Sequence, residues 1–272
     1  MSILNIIEQV SSTGIKDDNK SRKEMLSVFA DLGKKFAMAS IPAVVLAAIP
    51  KISSAQGTTE SVLDVLQFAL TLEYLESTYY NTGLGTSGLI ASADMAIFTQ
   101  IAKHENDHVT FLKSAITGIG GTPNASPTFD FTAGGSFTPF TNYQQFLALS
   151  QAFEDTGVRA YKGQAAYLQS NTAYLQAALQ IHSVEARHAC EVRRLRTAHG
   201  YDTIKGWITG ASYGTLPAAT APVYAGEDNV TQDGLNVSSL GDGYGVNAAT
   251  EAFDEPLTMA QVLTVANLFI KS

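Results

Sequence analysis

Between Thr58 and Gly200 the apolar residues return every three to four positions in four separate blocks. That is the spacing of helices that each bury one face. In the first block Val62, Leu66, Ala69, Leu70, Glu73, Ser77 and Tyr80 share a side, and Thr58-Thr59-Glu60-Ser61 can cap its start. Gly83, Gly85 and Gly88 stop it. The second block runs from about Ser92 to Thr117, with Ile97, Ile101, Glu105, His108, Leu112 and Ile116 inward, and ends in Gly118, Gly120-Gly121 and Pro123. A third covers about Asn142 to Gln169, with Phe146, Leu149, Phe153, Glu154, Gly157, Tyr161 and Ala165 inward. After Ser170-Asn171-Thr172 the fourth runs from about Ala173 to Ala198 and is closed by His199-Gly200.

The linkers predict how these helices are arranged. The first and third breaks are short, which makes each pair antiparallel neighbours. The middle one, 118–141, has no sustained period, yet Phe129, Phe131, Phe137 and Phe140 want burial, so it reads as an ordered crossing. Short, long, short predicts an all-α four-helix bundle over 58–200 in which the second and third helices run parallel. Residues 201–272 form a C-terminal segment. Its part 201–255 is rich in Gly, Thr, Ala and Asn and is expected to wrap the bundle as loops, held by Trp207, Tyr213, Tyr224 and Tyr244. A last helix follows Pro256, with Leu257, Val262, Leu263, Ala266 and Phe269 as its stripe.

Six residues break the apolar stripes. Glu105 with His108 and Glu185 with His188 are two Glu-x-x-His pairs, and Glu73 and Glu154 precede them by 32 and 31 residues. Residues at i and i+3 share a helix face, so each pair reaches one point on the bundle axis. Placed this way, Glu105 and Glu185 can bridge two cations, with His108 and His188 each completing one. Glu73 and Glu154 are then terminal carboxylates. Carboxylates mixed with imidazole suit two metal ions, iron first, with manganese or zinc also accepted. Four carboxylates buried together without cations cannot all ionise, which favours a metal over an empty charged core.

The arrangement resembles the ferritin-like di-iron carboxylate superfamily, which includes ferritins, bacterioferritins and rubrerythrins. More narrowly, Leu72-Glu73-Tyr74-Leu75-Glu76 with Tyr79-Tyr80, and Glu251 to Thr258, resemble a bacterial ferritin-like group related to desiccation-associated proteins. The resemblance implies the ferritin-like topology with its long crossing and marks Glu73, Glu105, His108, Glu154, Glu185 and His188 as ligands. Glu76 is the alternative to Glu73, although Glu73 keeps the seven-residue step to Tyr80 that Glu154 keeps to Tyr161. Those tyrosines either tune the metals or pack the core. His182, one turn before Glu185, is a candidate outer partner; His104 is expected at the surface; His199 suits a helix C-terminus.

Composition narrows the setting. The net charge is -8, and residues 56–272 carry ten basic and 20 acidic groups, which argues against nucleic acid and anionic membranes as partners. The single cysteine, Cys190, excludes an internal disulfide and a thiolate-rich metal site, and is expected to be a small buried hydrophobe. No rubredoxin-like Cys-x-x-Cys module is present in these residues. Residues 1–57 differ from the rest: Arg22-Lys23, Lys34-Lys35, an apolar run from Phe36 to Pro50 and Ser53-Ser54-Ala55 have the parts of an export leader. The run is short for a membrane span, and an extra amphipathic helix is the other reading. Export implies a periplasmic or envelope protein with no stable membrane span once matured. Two functions fit the site. One is a redox enzyme that oxidises ferrous iron or removes O2 or peroxide in stress protection. The other is a non-catalytic metal-binding or structural envelope protein. Either is compatible with a homo-oligomer.

Overall fold

The structure, a computed structural model, describes residues 60–240 and 245–271. The leader expected over 1–57 and Tyr244 lie outside the described residues.

The four stripes form four long helices: α1 (Val62–Gly85), α2 (Met95–Gly118), α3 (Tyr143–Gln164) and α4 (Thr172–Ala198). Ser61 starts α1 through a capping box, accepting from the Asp64 backbone while the Asp64 carboxylate accepts from Ser61. Asn142 and Asn171 cap α3 and α4 through their side-chain oxygens. α2 begins three residues later than its periodicity suggests, and Asp94 before it makes no cap bond. Its carboxylate has other partners: it accepts from Tyr143 Oη at 2.6 Å and pairs with His199 Nε2 at 2.6 Å. One buried aspartate thereby joins the starts of α2 and α3 to the end of α4. α3 tightens into a 3-10 turn, Ala165–Leu168, before the short link to α4.

α1 packs chiefly on α2, and α3 on α4, so two hairpins are joined by the crossing 119–142. This is the expected four-helix bundle. Phe131 and Phe137 of the crossing are buried, and Phe131 packs edge-on against Tyr79 at 5.0 Å between ring centroids. The crossing also pairs with the C-terminal end of the chain. Asp130 N donates to Phe269 O at 2.7 Å, and Lys271 N donates to Thr128 O at 2.9 Å.

The C-terminal segment has more structure than loops. It holds a 3-10 turn (Ala218–Tyr224), a two-residue hairpin of β1 (Thr231–Gln232) and β2 (Leu235–Asn236), a short α5 (Gly245–Glu251) and α6 (Met259–Ala266). Of the aromatic anchors, Tyr224 is wholly buried and donates to Asp155 Oδ2 at 2.6 Å. Trp207 is 53% exposed and Tyr213 is also exposed, so neither is an anchor.

Backbone carbonyls and buried charge do that work. Arg159 of α3, fully buried, reaches Glu227 Oε1 at 2.8 Å, donates to Glu255 O at 2.7 Å and Ala225 O at 2.7 Å, and also bonds Val223 O. Lys162 holds Asp254 O, and Gly163 lies so close under the Leu257 carbonyl that no Cβ fits there. The stretch 251–258, conspicuous in the sequence, is therefore the strap that lies along α3. No helix among the described residues is long and apolar enough to cross a membrane.

Candidate metal centre

The inward face of each long helix delivers its acidic residue to one level of the bundle. Glu73, Glu105, Glu154 and Glu185 are completely buried, His188 nearly so, and the His108 side chain is 11% exposed. His108 Nδ1 lies 3.1 Å from Glu73 Oε2, 3.0 Å from Glu105 Oε2 and 3.2 Å from Glu185 Oε1. His188 Nδ1 lies 2.8 Å from Glu105 Oε1, 3.3 Å from Glu154 Oε2 and 3.6 Å from Glu185 Oε2. Two groups result, Glu73–Glu105–His108–Glu185 and Glu105–Glu154–Glu185–His188, with the donor atoms of each within 4.8 Å of one another. Glu105 and Glu185 belong to both. The six residues singled out in the sequence are thus brought together.

These atoms converge without satisfying each other. Glu105 Oε1, Glu154 Oε2, both oxygens of Glu185 and His188 Nδ1 are buried with no hydrogen-bond partner among the described residues. One imidazole N–H cannot serve three carboxylates, and buried orphan oxygens are costly. Bound cations would satisfy these atoms, so the residues fit a metal site.

The electrostatics agree. Burial, and then the Glu185 charge, push Glu105 up to about 7 and raise Glu73. Burial takes Glu154 up to about 8 against the pull of His188. Burial also acts to raise Glu185, but the two imidazoles beside it outweigh that and hold it down at about 2. For His108 the desolvation that would lower it is overcome by Glu105, Glu185 and Glu73, which raise it to about 12; His188 is raised in the same way. Without cations, then, the cluster gathers protons to offset its own charge.

The surroundings have a near-twofold pattern. Tyr161 of α3 donates to Glu73 of α1, and Tyr80 of α1 donates to Glu154 of α3. The pattern breaks at one position. Glu76 follows Glu73 by three residues and is 3% exposed, while the residue three after Glu154 is Gly157. A Cβ on Gly157 would stand 3.3 Å from Glu76 Oε1 and 3.6 Å from Glu185 Oε2. The missing side chain leaves the room that the Glu76 carboxyl uses. Glu73 and Glu76 therefore both reach the core, Glu73 within a donor group and Glu76 beside it.

Three expectations about neighbours need correcting. His104 is half-buried rather than free at the surface: its Nδ1 lies 2.9 Å from His188 Nε2, its ring stacks on that of His188, and Gln100 Nε2 is 2.6 Å from its other nitrogen. Its helical angle from Glu105 had placed it off the face. The missed signal was its four-residue step to His108, one turn along the same side. His182 is not an outer partner of the cluster, because its Nδ1 bonds Val158 O at 2.9 Å. Cys190 is only half-buried, packed where Gly206 passes its Sγ.

A family model of the ferritin-like domain matches residues 61–198, just over half of the chain, and this span contains all four long helices and all six clustered residues. The chain belongs to the ferritin-like domain family. No match is found among curated proteins. This ferritin-like chain places its acidic and imidazole side chains so that a metal can be held in the bundle core.

Proposed function

We propose that this ferritin-like chain holds two metal ions, iron in its working state, and oxidises ferrous iron with dioxygen or peroxide in a protective role. The observation that carries this reading is the pair of donor groups sharing Glu105 and Glu185. Those two residues would be common to both ions. Glu73 and His108 would complete the donors for one ion, and Glu154 and His188 those for the other. Four carboxylates balance two divalent cations, so the filled cluster is neutral in a buried place where net charge is costly. Hard oxygen donors with imidazole, and no thiolate in the cluster, favour iron or manganese.

Two ferrous ions held there would supply two electrons, enough with two protons to reduce a peroxide to two waters or to begin the reduction of dioxygen. Tyr161 and Tyr80 fix the outer carboxylates, Glu73 and Glu154, in orientation. His104 does the same for the His188 ring. The carboxylate layer is closed to bulk water, and His108 is its least buried member.

The test is an anaerobic titration of purified chain with ferrous iron, followed by addition of O2 or peroxide while absorbance and turnover are recorded. Two irons per chain with fast oxidation support the proposal. Tight metal with no reaction gives the bundle a structural, metal-tied role, and no metal uptake overturns both. An exported or envelope location belongs to the same reading and is carried by the leader-like residues 1–57; N-terminal sequencing of the protein from its native cells checks it.

A further inference from the structure

Tyr80, whose hydroxyl donates to Glu154, is the first ring of a series that leads away from the carboxylate layer. It is wholly buried, and its ring centroid lies 5.9 Å from that of Phe98 and 6.3 Å from that of Phe146. Both phenylalanines are wholly buried too, and both meet Tyr143, the first residue of α3, at 6.4 and 6.1 Å. Tyr143 is half-buried. Its ring also meets His199 at 5.3 Å, and His199 stacks on half-buried Tyr201 at 5.6 Å. Every step is a ring-to-ring contact. Two parallel aromatic bridges therefore join a tyrosine on a cluster carboxylate to a tyrosine that solvent reaches.

The tyrosines differ in what their hydroxyls meet. Taking an electron from a phenol makes it a strong acid, so the electron leaves readily only where a base receives the proton. Tyr79 donates to the Phe146 carbonyl at 2.9 Å, and a carbonyl is no such base. Tyr80 and Tyr161 donate to Glu154 and Glu73, carboxylates that bound cations would claim. Tyr224 donates to Asp155, whose charge Arg193 already offsets. Tyr143 donates to Asp94 Oδ2 at 2.6 Å, and Asp94 belongs to neither donor group. His199 Nε2 lies 2.6 Å from the same oxygen, and its side chain is 30% exposed. Burial, and then the bond to Asp94, push the Tyr143 phenol above its usual range, so the proton stays in place until the ring is oxidised.

We propose that Tyr143 is a redox-active tyrosine that gives an electron to the carboxylate cluster through Phe98, Phe146 and Tyr80, and its proton to Asp94. This rests on the metal reading above. Reduction of a peroxide to two waters takes two electrons and two protons. With two ferrous ions in place both electrons are at hand. With one, the peroxide takes a single electron and splits into hydroxide and a hydroxyl radical. Tyr143 supplies the missing electron instead. The peroxide O–O bond and the Tyr143 O–H bond break, one ferrous ion becomes ferric, Tyr143 becomes a neutral phenoxyl radical, and two waters form. Two protons enter the waters and one leaves Tyr143 by way of Asp94, so the net demand on solvent is one proton.

Electron paramagnetic resonance on freeze-quenched samples tests this. The full chain is loaded anaerobically with one ferrous ion per chain, its iron content is measured, and hydrogen peroxide is added. The unaltered chain should give a tyrosyl radical, and loading with two ferrous ions per chain should remove most of it. Tyr143→Phe, which keeps the ring contacts, should lose the signal. Asp94→Asn, which keeps an acceptor but removes the base, should lose most of it, so a folding defect in one variant leaves the other informative. Tyr201→Phe should keep it. Bound iron with no radical in the unaltered chain overturns this proposal alone, as does an equal radical in Tyr143→Phe. A chain that takes up no iron overturns the metal reading and this proposal with it.

Discussion

The hydroxyl of Tyr161 on α3 donates to the carboxylate of Glu73 on α1, and the same bond runs in the opposite direction from Tyr80 to Glu154. All four groups are buried, so each tyrosine removes one acceptor oxygen from the unsatisfied set and fixes the direction of the other. Tyr161→Phe should lower metal affinity by about tenfold, at the modest end for a partner that orients a ligand, with the fold retained. Tyr80→Phe should do the same for the Glu154 side. Equilibrium dialysis with ferrous or manganous ion reads this; unchanged affinity in both variants reduces the tyrosines to core packing.

The two donor groups share Glu105 and Glu185 but not Glu73 or Glu154. Substitution should therefore have different stoichiometric effects. Glu105→Ala together with Glu185→Ala should abolish metal binding, because both groups lose two donors each. Glu73→Ala should leave one ion per chain, held by the Glu154–His188 side. Metal analysis of the purified variants decides it, and unchanged metal content in the double variant overturns the ligand assignment.

Proton uptake by the empty cluster has a definite sign. Burial and neighbouring carboxylates raise Glu105 from 4.5 to about 7 and Glu154 from 4.5 to about 8, and raise Glu73 and Glu76 in the same direction. The carboxylates around His108 raise it from 6.5 to about 12. For each of these the folded chain binds the proton more tightly than the unfolded one. Their stabilisation is complete below the unfolded pKa and is lost as pH rises through the folded value. Glu185, held at about 2, acts oppositely, its share disappearing only as pH falls from 4.5 towards about 2. Metal-free protein should consequently melt at progressively lower temperature as pH goes from 4.5 towards 8. Metal-loaded protein should be much flatter, since cations replace those protons. Thermal denaturation with chelator and with metal across that range checks both curves.

Much of this site could be read from spacing alone, because a ligand set on four helices leaves a periodic mark: polar residues at i and i+3 inside apolar stripes. The bundle topology was legible for a related reason, since linker length limits which helices can be neighbours. What spacing does not carry is contact between elements. His104 shares a side with His108 one turn away, but only the packing of α4 shows that His188 meets it. The choice between Glu73 and Glu76 dissolved because Gly157 on α3 leaves space that no pattern in α1 reveals. The tail was misread for the same reason. Of its described aromatic residues Tyr224 is an anchor but Trp207 and Tyr213 are not, and much of the fastening is made by backbone carbonyls that meet Arg159 and Lys162.

That fastening makes the last prediction. Arg159 is fully buried on α3, opposite Glu227 at 2.8 Å, and it also bonds the carbonyls of Val223, Ala225 and Glu255. Burial, with the Asp254 and Glu255 charges adding to it, pushes the Glu227 carboxyl up to about 7 despite the guanidinium beside it, and both side chains of the pair are fully buried. Removing one partner leaves an uncompensated charge there. Arg159→Ala should cost about 3–5 kcal/mol of folding stability, the range for breaking a buried pair from one side. It should also expose the segment 218–255 to limited proteolysis before the bundle unfolds. Arg159→Met with Glu227→Leu should recover much of the stability, because neither charge is then stranded, while the carbonyl contacts stay lost and the segment stays cleavable. Chemical denaturation together with a protease time course separates the two effects. Equal protease resistance in all three proteins would show that the strap is held by α6 and the crossing rather than by Arg159.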